Sequence, residues 1–148
     1  MIQLPPDFRE FLTLLNANAV DYIVVGGYAV NLHGFVRATG DIDVWLRTSE
    51  ENAAKLRVAL RQFGFSDEAI PPNFAAQPTR VLAIGVPPFR IEMLTAISGV
   101  AFEDALLRRI VVNMDGLPVP VISREDLRTN KKASGRLKDL ADLEGLGL

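Results

Sequence analysis

The sequence predicts an α/β fold: a single domain over residues 1–148 with a mixed, partly antiparallel sheet, helices on one face and a helical tail from about residue 123. Two observations predict this class. Short apolar runs typical of strands are interspersed with segments of helical periodicity. The chain has 148 residues, of which 49% are hydrophobic, and this is enough for one core but not two.

The first segments predict a helix, a buried strand and a short second helix. Asp7 follows two prolines and is expected to be an N-cap, because apolar residues then recur at helical spacing. Residues 22–25 are apolar and mostly β-branched, as in a strand covered on both faces. Gly26 and Gly27 end that strand, and residues 28–32 can form the short helix.

The next segments predict a two-faced strand followed by a capped helix. Residues 41–46 alternate in polarity, so Asp41 and Asp43 are expected on one face and apolar side chains on the other. Thr48 with the glutamate three residues later forms a capping-box pattern, and Gly64 is suited to ending the helix.

The rest of the chain predicts a loop, four strands, a short helix and the tail. A Pro-Pro turn separates the first two of these strands, and an Asp-Gly turn joins the last two as a hairpin. The predicted elements are a loop at 66–78, strands at 81–86 and 89–95, a helix at 102–109, strands at 110–114 and 119–122, and two tail helices that meet near 134–135.

Composition and charge exclude several classes of protein. With 16 basic and 18 acidic residues the net charge is -2, which argues against a chain that coats nucleic acid, although a local basic patch stays possible. The absence of cysteine excludes disulfides, thiolate zinc sites and cysteine nucleophiles. The first residues have no signal-peptide pattern, and no apolar run reaches the roughly 20 residues of a membrane span. We therefore expect a cytoplasmic protein with no membrane partner.

Asp41 and Asp43 are candidate metal ligands. Two carboxylates two residues apart on one strand face lie about 6 to 7 Å apart, so their oxygens can converge on one or two divalent ions. Such oxygen ligands suit Mg²⁺ or Mn²⁺, which usually also bind phosphate oxygens. Gly26 and Gly27 offer backbone N–H groups and lack side chains, so a phosphate can approach closely.

Glu92 is the candidate third acid. It alternates with Ile91 and Met93, so it is expected on the same strand face as Arg90. An acid inside an apolar strand is costly unless it is paired or bound to a metal. Pairing with Arg90 is therefore the alternative to a metal role.

Three stretches together resemble a known family. They are "GGYAVNLHGFVRATGDID" at residues 26–43, "RIEML" at 90–94 and "NKKASGRLKDLADLEGL" at 130–146. The first resembles the nucleotidyltransferase (DNA polymerase β-like) superfamily, in which Gly-Gly or Gly-Ser, a spacer and Asp-x-Asp follow one another. The combination is similar to small bacterial nucleotidyltransferase-like proteins of the minimal and AbiEii-type groups.

The resemblance implies a metal-dependent enzyme that moves a nucleoside monophosphate from an NTP, ATP first, to a hydroxyl acceptor and releases pyrophosphate. Gly26 and Gly27 would contact the triphosphate, whereas Asp41, Asp43 and Glu92 would be both catalytic residues and ligands of Mg²⁺ or Mn²⁺. The acceptor, which is a protein, an RNA or a small molecule, stays open. Two departures from the family pattern stand out: Gly27 replaces a common serine, and Glu92 replaces a common aspartate.

Three further residues are candidate nucleotide-binding residues. Arg37 and Thr39 precede the acids, where they can reach phosphates or hold the loop. Lys138, with Arg136 beside it, is expected to reach the triphosphate or an RNA backbone; the alternative is a charged, solvated helix face.

Three other functions fit parts of the pattern. The chain can be the nucleotidyltransferase-like component of a toxin–antitoxin pair that binds a partner protein encoded nearby. It can be a catalytically degenerate member of the superfamily. It can also be a glycosyltransferase that uses Asp-x-Asp, although the Gly-Gly pair is then unexplained and the chain is short for that fold.

Overall fold

A computed structural model describes residues 3–36 and 38–148, which form helices around one six-stranded sheet. The helices are α1 Pro6–Ala17, α2 Gly26–Leu32, α3 Glu50–Phe63, α4 Phe102–Arg108, α5 Arg124–Ser134 and α6 Leu137–Leu146. The strands are β1 Tyr22–Val25, β2 Asp41–Leu46, β3 Val81–Ile84, β4 Arg90–Leu94, β5 Ile110–Met114 and β6 Leu117–Val121. Two 3-10 turns, Asp67–Ala69 and Phe74–Ala76, lie in the loop between α3 and β3.

The sheet is mixed, as predicted, with the strand order β3-β4-β2-β1-β6-β5. β2 pairs antiparallel with β1 and parallel with β4. The two outer strands, β3 and β5, each pair antiparallel with their neighbour, and β6 pairs parallel with β1. The strand that carries both aspartates therefore lies inside the sheet, between β4 and β1.

The two faces of the sheet are covered by different helices. Ile42 and Val44 of β2 are completely buried on the face opposite the aspartates. On that face Ile91 borders the same small cavity as Phe8 of α1 and Phe63 of α3, so α1 and α3 form the predicted helical layer. The helical tail instead returns to the face that carries the acids.

Three helix starts differ from the prediction by one or two residues, and one of them is α2, which begins at Gly26 rather than at residue 28. α1 begins at Pro6, with Asp7 in its first turn rather than at the N-cap, because a proline in the first turn needs no N–H partner. α3 is capped by Ser49, whose hydroxyl accepts a hydrogen bond from the Asn52 N–H at 3.0 Å, so Thr48 is not the cap. Gly64 ends α3 in the left-handed conformation, as predicted.

The tail consists of two helices that meet at a glycine hinge, as predicted. Ser123 caps α5 by accepting a hydrogen bond from the Asp126 N–H, and Gly135 ends the helix in the left-handed conformation. α6 then begins at Leu137. Within the described ranges, none of the helices combines the length and the apolar character that a membrane crossing requires.

Candidate active site

The parallel pairing of β2 with β4 brings the three predicted acids together. The register places Asp41 opposite Arg90 and Asp43 opposite Glu92. Paired residues of neighbouring strands project from the same face of a sheet, and the apolar neighbours of these four are buried on the other face. The sequence predicted the alternation within each strand, and the register between strands completes the cluster.

Asp43 lies at the centre of this cluster, and its pKa is raised. Burial, a hydrogen bond with Glu92 and repulsion from Glu92 and Asp41 raise its pKa from 3.8 to about 7, although Lys138 lowers it. The Oδ1 atom of Asp43 is buried and has no hydrogen-bond partner in the described structure. Asp43 is therefore an acid whose charge is incompletely compensated by the protein.

Arg90 contacts two of the acids. Its guanidinium donates a hydrogen bond to Asp41 Oδ2 at 3.1 Å and lies 3.8 Å from Glu92 Oε1. The alternative to a metal role for Glu92 was an ion pair with Arg90. This ion pair is present, at the longer of the two distances. It does not turn Glu92 away from the cluster, because Glu92 pairs with Asp43 in the strand register and contributes to raising the pKa of Asp43.

Gly26 provides the space that Asp43 occupies. A Cβ atom at Gly26 would lie 1.9 Å from Asp43 Oδ2, and the φ angle of Gly26 is +68°. Both the close approach and the left-handed backbone require glycine at this position. Gly26 therefore has a packing role against the acid cluster.

Gly27 leaves space for the Thr39 side chain, as Gly26 does for Asp43. A Cβ atom at Gly27 would lie 2.6 Å from Thr39 Oγ1, so the serine common in the family at this position would collide with the threonine. Thr39 donates a hydrogen bond to the backbone carbonyl of Asp41 at 3.2 Å, which holds the loop ahead of β2. Thr39 thus places its hydroxyl near the position that the hydroxyl of the family's common serine would occupy. Arg37, the other candidate in this loop, lies outside the described residues.

The helical tail supplies cations to the acid face. Arg136 and Lys138 border the cavities next to Asp43 and Glu92. Asp139, which is completely buried, accepts a hydrogen bond from Arg136 Nε at 2.7 Å and one from Lys131 Nζ at 3.1 Å. The placement of Arg136 thus depends on a buried carboxylate in the first turn of α6.

Two cavities meet at the acid cluster and share Asp43, Glu92, Arg136 and Lys138. The larger, of about 590 Å³, is bordered by the loop before β2 and the turn before β4, and it adds Gly27, Thr39, Gly40, Asp41, Pro87, Pro88 and Arg90 among its residues. The smaller, of about 380 Å³, is polar on one side, with Ser98, Asn130 and Ser134. Both volumes lie in the range of small-molecule sites.

The prolines of the larger cavity were not expected at the site. The sequence identified Pro87 and Pro88 only as a strand break, yet they border the cavity, and a Cβ atom at Gly40 would lie 2.0 Å from the Pro88 carbonyl oxygen. This contact joins two loops that are far apart in sequence. No local pattern signals it, except that a glycine directly precedes Asp41.

The acids fit a divalent metal ion by their chemistry. Across residues 3–36 and 38–148 no three acidic, histidine or cysteine side chains are arranged as a formed metal site. The site nevertheless combines three oxygen donors, the buried unpartnered Oδ1 of Asp43 and a pKa raised partly by repulsion between carboxyls. Hard oxygen donors with uncompensated negative charge suit Mg²⁺ or Mn²⁺.

Comparisons with known structures agree with this architecture. Thermotoga maritima TM1012, a candidate nucleotidyltransferase, superposes with a TM-score of 0.61 at 20% identity, over 99% of this chain and 93% of that one. The lincosamide antibiotic adenylyltransferase LnuA, solved with lincomycin bound, gives a TM-score of 0.51 at 13% identity, over 99% and 98% of the two chains. Both likenesses establish a nucleotidyltransferase-like fold, which confirms the predicted fold class.

Sequence comparison defines the family. No curated protein matches the sequence significantly. Residues 2–148 match the family described as "Nucleotidyltransferase of unknown function (DUF6036)". The match covers almost the whole chain and confirms the resemblance found in its motifs. The chain therefore belongs to this nucleotidyltransferase family.

Proposed function

We propose that the protein transfers a nucleoside monophosphate from an NTP, with ATP the first candidate, to a hydroxyl acceptor and releases pyrophosphate. One observation carries the proposal: Asp41, Asp43 and Glu92 converge on one sheet face, where two cavities meet beside Arg136 and Lys138. Acids for metal ions, cations for phosphates and space for two reactants are what a phosphoryl-type transfer needs.

The larger cavity is the proposed triphosphate site. Its positive charge comes from Arg90, Arg136 and Lys138, and Thr39 adds a hydroxyl. Gly27 borders this cavity and Gly26 borders the smaller one. From their place in the sequence we assign their backbone N–H groups to the phosphate oxygens. We also assign Arg37 to this site from its place in the sequence.

The metal ions, Mg²⁺ or Mn²⁺, would be held by Asp41, Asp43 and Glu92. When bound, they would neutralise phosphate charge and lower the pKa of the acceptor hydroxyl.

The side chains themselves would then perform three tasks. Arg136 and Lys138 would stabilise the negative charge that passes to pyrophosphate as the bond between the α-phosphorus and its bridging oxygen breaks. A carboxylate of the Asp43–Glu92 pair would take the proton that the acceptor oxygen loses as it bonds to the α-phosphorus, because this pair borders both cavities. Buried Asp139 would keep Arg136 in position through the hydrogen bond at 2.7 Å.

The smaller cavity is the proposed acceptor site. Its volume of about 380 Å³ and its serine and asparagine side chains favour a small hydroxyl compound over an RNA end or a protein surface. LnuA is an adenylyltransferase solved with a small antibiotic bound, and this is consistent with an acceptor of that size here.

The direct test is incubation with each α-labelled NTP, Mg²⁺ or Mn²⁺ and three acceptor pools: small hydroxyl compounds, RNA and protein. We expect label in one pool and release of pyrophosphate in equal amount. Asp41→Asn and Asp43→Asn should abolish both, since each removes a metal-binding charge while keeping side-chain size. Asp104→Asn, an exposed acid on α4, is the matched control and should retain activity.

The non-enzymatic alternatives predict a different result in this experiment. A degenerate member, or one that acts by binding a partner protein, would transfer no label with any metal. Its biological effect would also survive Asp41→Asn and Asp43→Asn. Either result would overturn the enzymatic proposal.

A further inference from the structure

Arg90 lies inside the acid cluster. The register of β4 against β2 places it directly beside Asp41, and Glu92 follows two residues later on the same face. Its guanidinium lies 3.1 Å from Asp41 Oδ2 and 3.8 Å from Glu92 Oε1. Two of the three proposed metal ligands are therefore paired with a cation of the protein itself.

This pairing leaves buried polar atoms of the cluster without hydrogen-bond partners among the described residues. Within the described structure, Arg90 Nε is buried without an acceptor and Asp43 Oδ1 is buried without a donor. A well-fitted arginine–carboxylate pair, such as Arg108 with Asp126, uses two guanidinium nitrogens on one carboxylate. Arg90 therefore supplies charge to the cluster without satisfying its hydrogen bonds, so a better ligand can replace it.

Arg90 can leave Asp41 without leaving the site. Its side chain is 37% exposed, so it is not locked by packing. It also borders the larger cavity together with Thr39 and Lys138. A guanidinium at this position can contact phosphate oxygens in that cavity, and the planar group suits them.

We propose that Arg90 alternates between two partners. In the nucleotide-free protein it is the counter-ion of Asp41 and Glu92; in the loaded protein it is a ligand of the nucleotide's phosphates. This inference rests on the proposed function and extends it, because it links metal binding to nucleotide binding. A divalent ion alone must compete with Arg90 for Asp41, whereas an ion that arrives with a triphosphate gives Arg90 a new partner.

The test compares two affinities in wild type and Arg90→Gln. Binding of Mn²⁺ alone is measured from the EPR signal of free Mn²⁺, and binding of α,β-methylene-ATP with Mg²⁺ is measured by calorimetry. We expect Arg90→Gln to tighten Mn²⁺ binding and to weaken binding of the analogue, each by about twofold to fivefold. Opposite shifts are the signature of a residue that changes partner.

Three controls accompany this variant. Arg90→Lys keeps the charge and should restore both affinities toward the wild-type values. Arg61→Gln removes an arginine from the surface pair with Asp67 and should change neither affinity. Thermal unfolding of every variant verifies that it is folded.

The outcomes separate the inference from the proposed function. If Arg90→Gln leaves either affinity unchanged or shifts both in the same direction, the inference is wrong. If Mn²⁺ binds neither wild type nor Arg90→Gln, even with the analogue present, the proposed metal site itself fails. Loss of Mn²⁺ binding in Asp41→Asn shows that the measured ion occupies the proposed site.

Discussion

At the scale of single residues, Asp43 is an acid whose surroundings favour its neutral form unless a cation binds beside it. Its pKa is raised to about 7 by burial and by its contacts with Glu92 and Asp41. The folded protein therefore holds the Asp43 proton more tightly than the unfolded chain does. This difference makes stability depend on pH.

We expect Asp43 to lower the free energy of unfolding as the pH rises. Below about pH 4 Asp43 is protonated in both the folded and the unfolded protein, so it does not change the free energy of unfolding. Between about pH 4 and 7 only the unfolded chain loses this proton, and the free energy of unfolding falls by about 1.4 kcal/mol per pH unit. In metal-free buffer, Asp43→Asn should therefore match wild type at pH 4 and be more stable at pH 8, by at most about 4 kcal/mol. Urea unfolding at both pH values measures this, with Asp7→Asn as the exposed control; an equal gain at both pH values would contradict the shift.

Gly26 has a steric role that can be separated from its backbone conformation. Gly26→Ala would place a methyl group 1.9 Å from Asp43 Oδ2 at a φ of +68°. Gly147 has a similar φ of +73° but open space around it, so Gly147→Ala isolates the backbone cost. In chemical denaturation we expect a loss of about 1 kcal/mol for Gly147→Ala and about 2 to 4 kcal/mol for Gly26→Ala. Equal losses would show that Asp43 moves aside freely.

The shared space of Gly27 and Thr39 allows a rescue experiment. Thr39→Ala removes the loop hydroxyl and should weaken binding of α,β-methylene-ATP by about fivefold to tenfold, the value of one hydrogen bond. Gly27→Ser alone should destabilise the protein, because its Cβ would lie 2.6 Å from Thr39 Oγ1. The double variant removes the 2.6 Å contact and keeps a tight one of 3.1 Å to the Cβ atom of residue 39. It restores a hydroxyl and should regain affinity. Failure to regain it would mean that Thr39 acts only on the loop.

At the scale of elements, the buried ion cluster between α5 and α6 holds the tail against the acid face. Lys131 Nζ lies 3.1 Å from Asp139 Oδ1 and 3.0 Å from Asp142 Oδ2, and all three side chains are buried. Removing the cation would leave two buried carboxylates with one positive partner fewer.

Lys131→Met should therefore destabilise the protein by about 3 to 5 kcal/mol. The adjacent Lys132 is exposed, so Lys132→Met is a matched control that should stay within about 0.5 kcal/mol of wild type. Thermal and urea unfolding give both values. A Lys131→Met protein as stable as the control would show that the tail is held by its apolar contacts alone.

Element by element, the sequence predicted most of the fold, because alternation and helical spacing are local patterns. Residues 22–25 and 41–46 were predicted with the bounds that β1 and β2 have. The helix starts were less accurate, since Asp7, Thr48 and Ser49 are all acceptable caps and only backbone geometry chooses among them. The site depends on non-local contacts, such as Asp43 with Glu92, which follow from strand register and from no local signal.

At the scale of the whole molecule, the strand order concentrates the chemistry at one place. β2 lies between β4 and β1, so its two aspartates are flanked by Glu92 on one side and by the strand that leads to Gly26 on the other. The tail then closes over this face and brings Arg136 and Lys138. One domain-sized chain thereby assembles acids, cations and two cavities from four separate segments.

The central claim is that Asp41, Asp43 and Glu92 form a metal site that works together with a nucleotide. The most direct measurement is anomalous X-ray scattering from crystals grown with Mn²⁺ and α,β-methylene-ATP. We expect Mn²⁺ peaks at these three carboxylates, the analogue's phosphates in the larger cavity, and no peak there in Asp43→Asn crystals. Mn²⁺ bound elsewhere on the protein, or an analogue bound away from the acids, would contradict the claim.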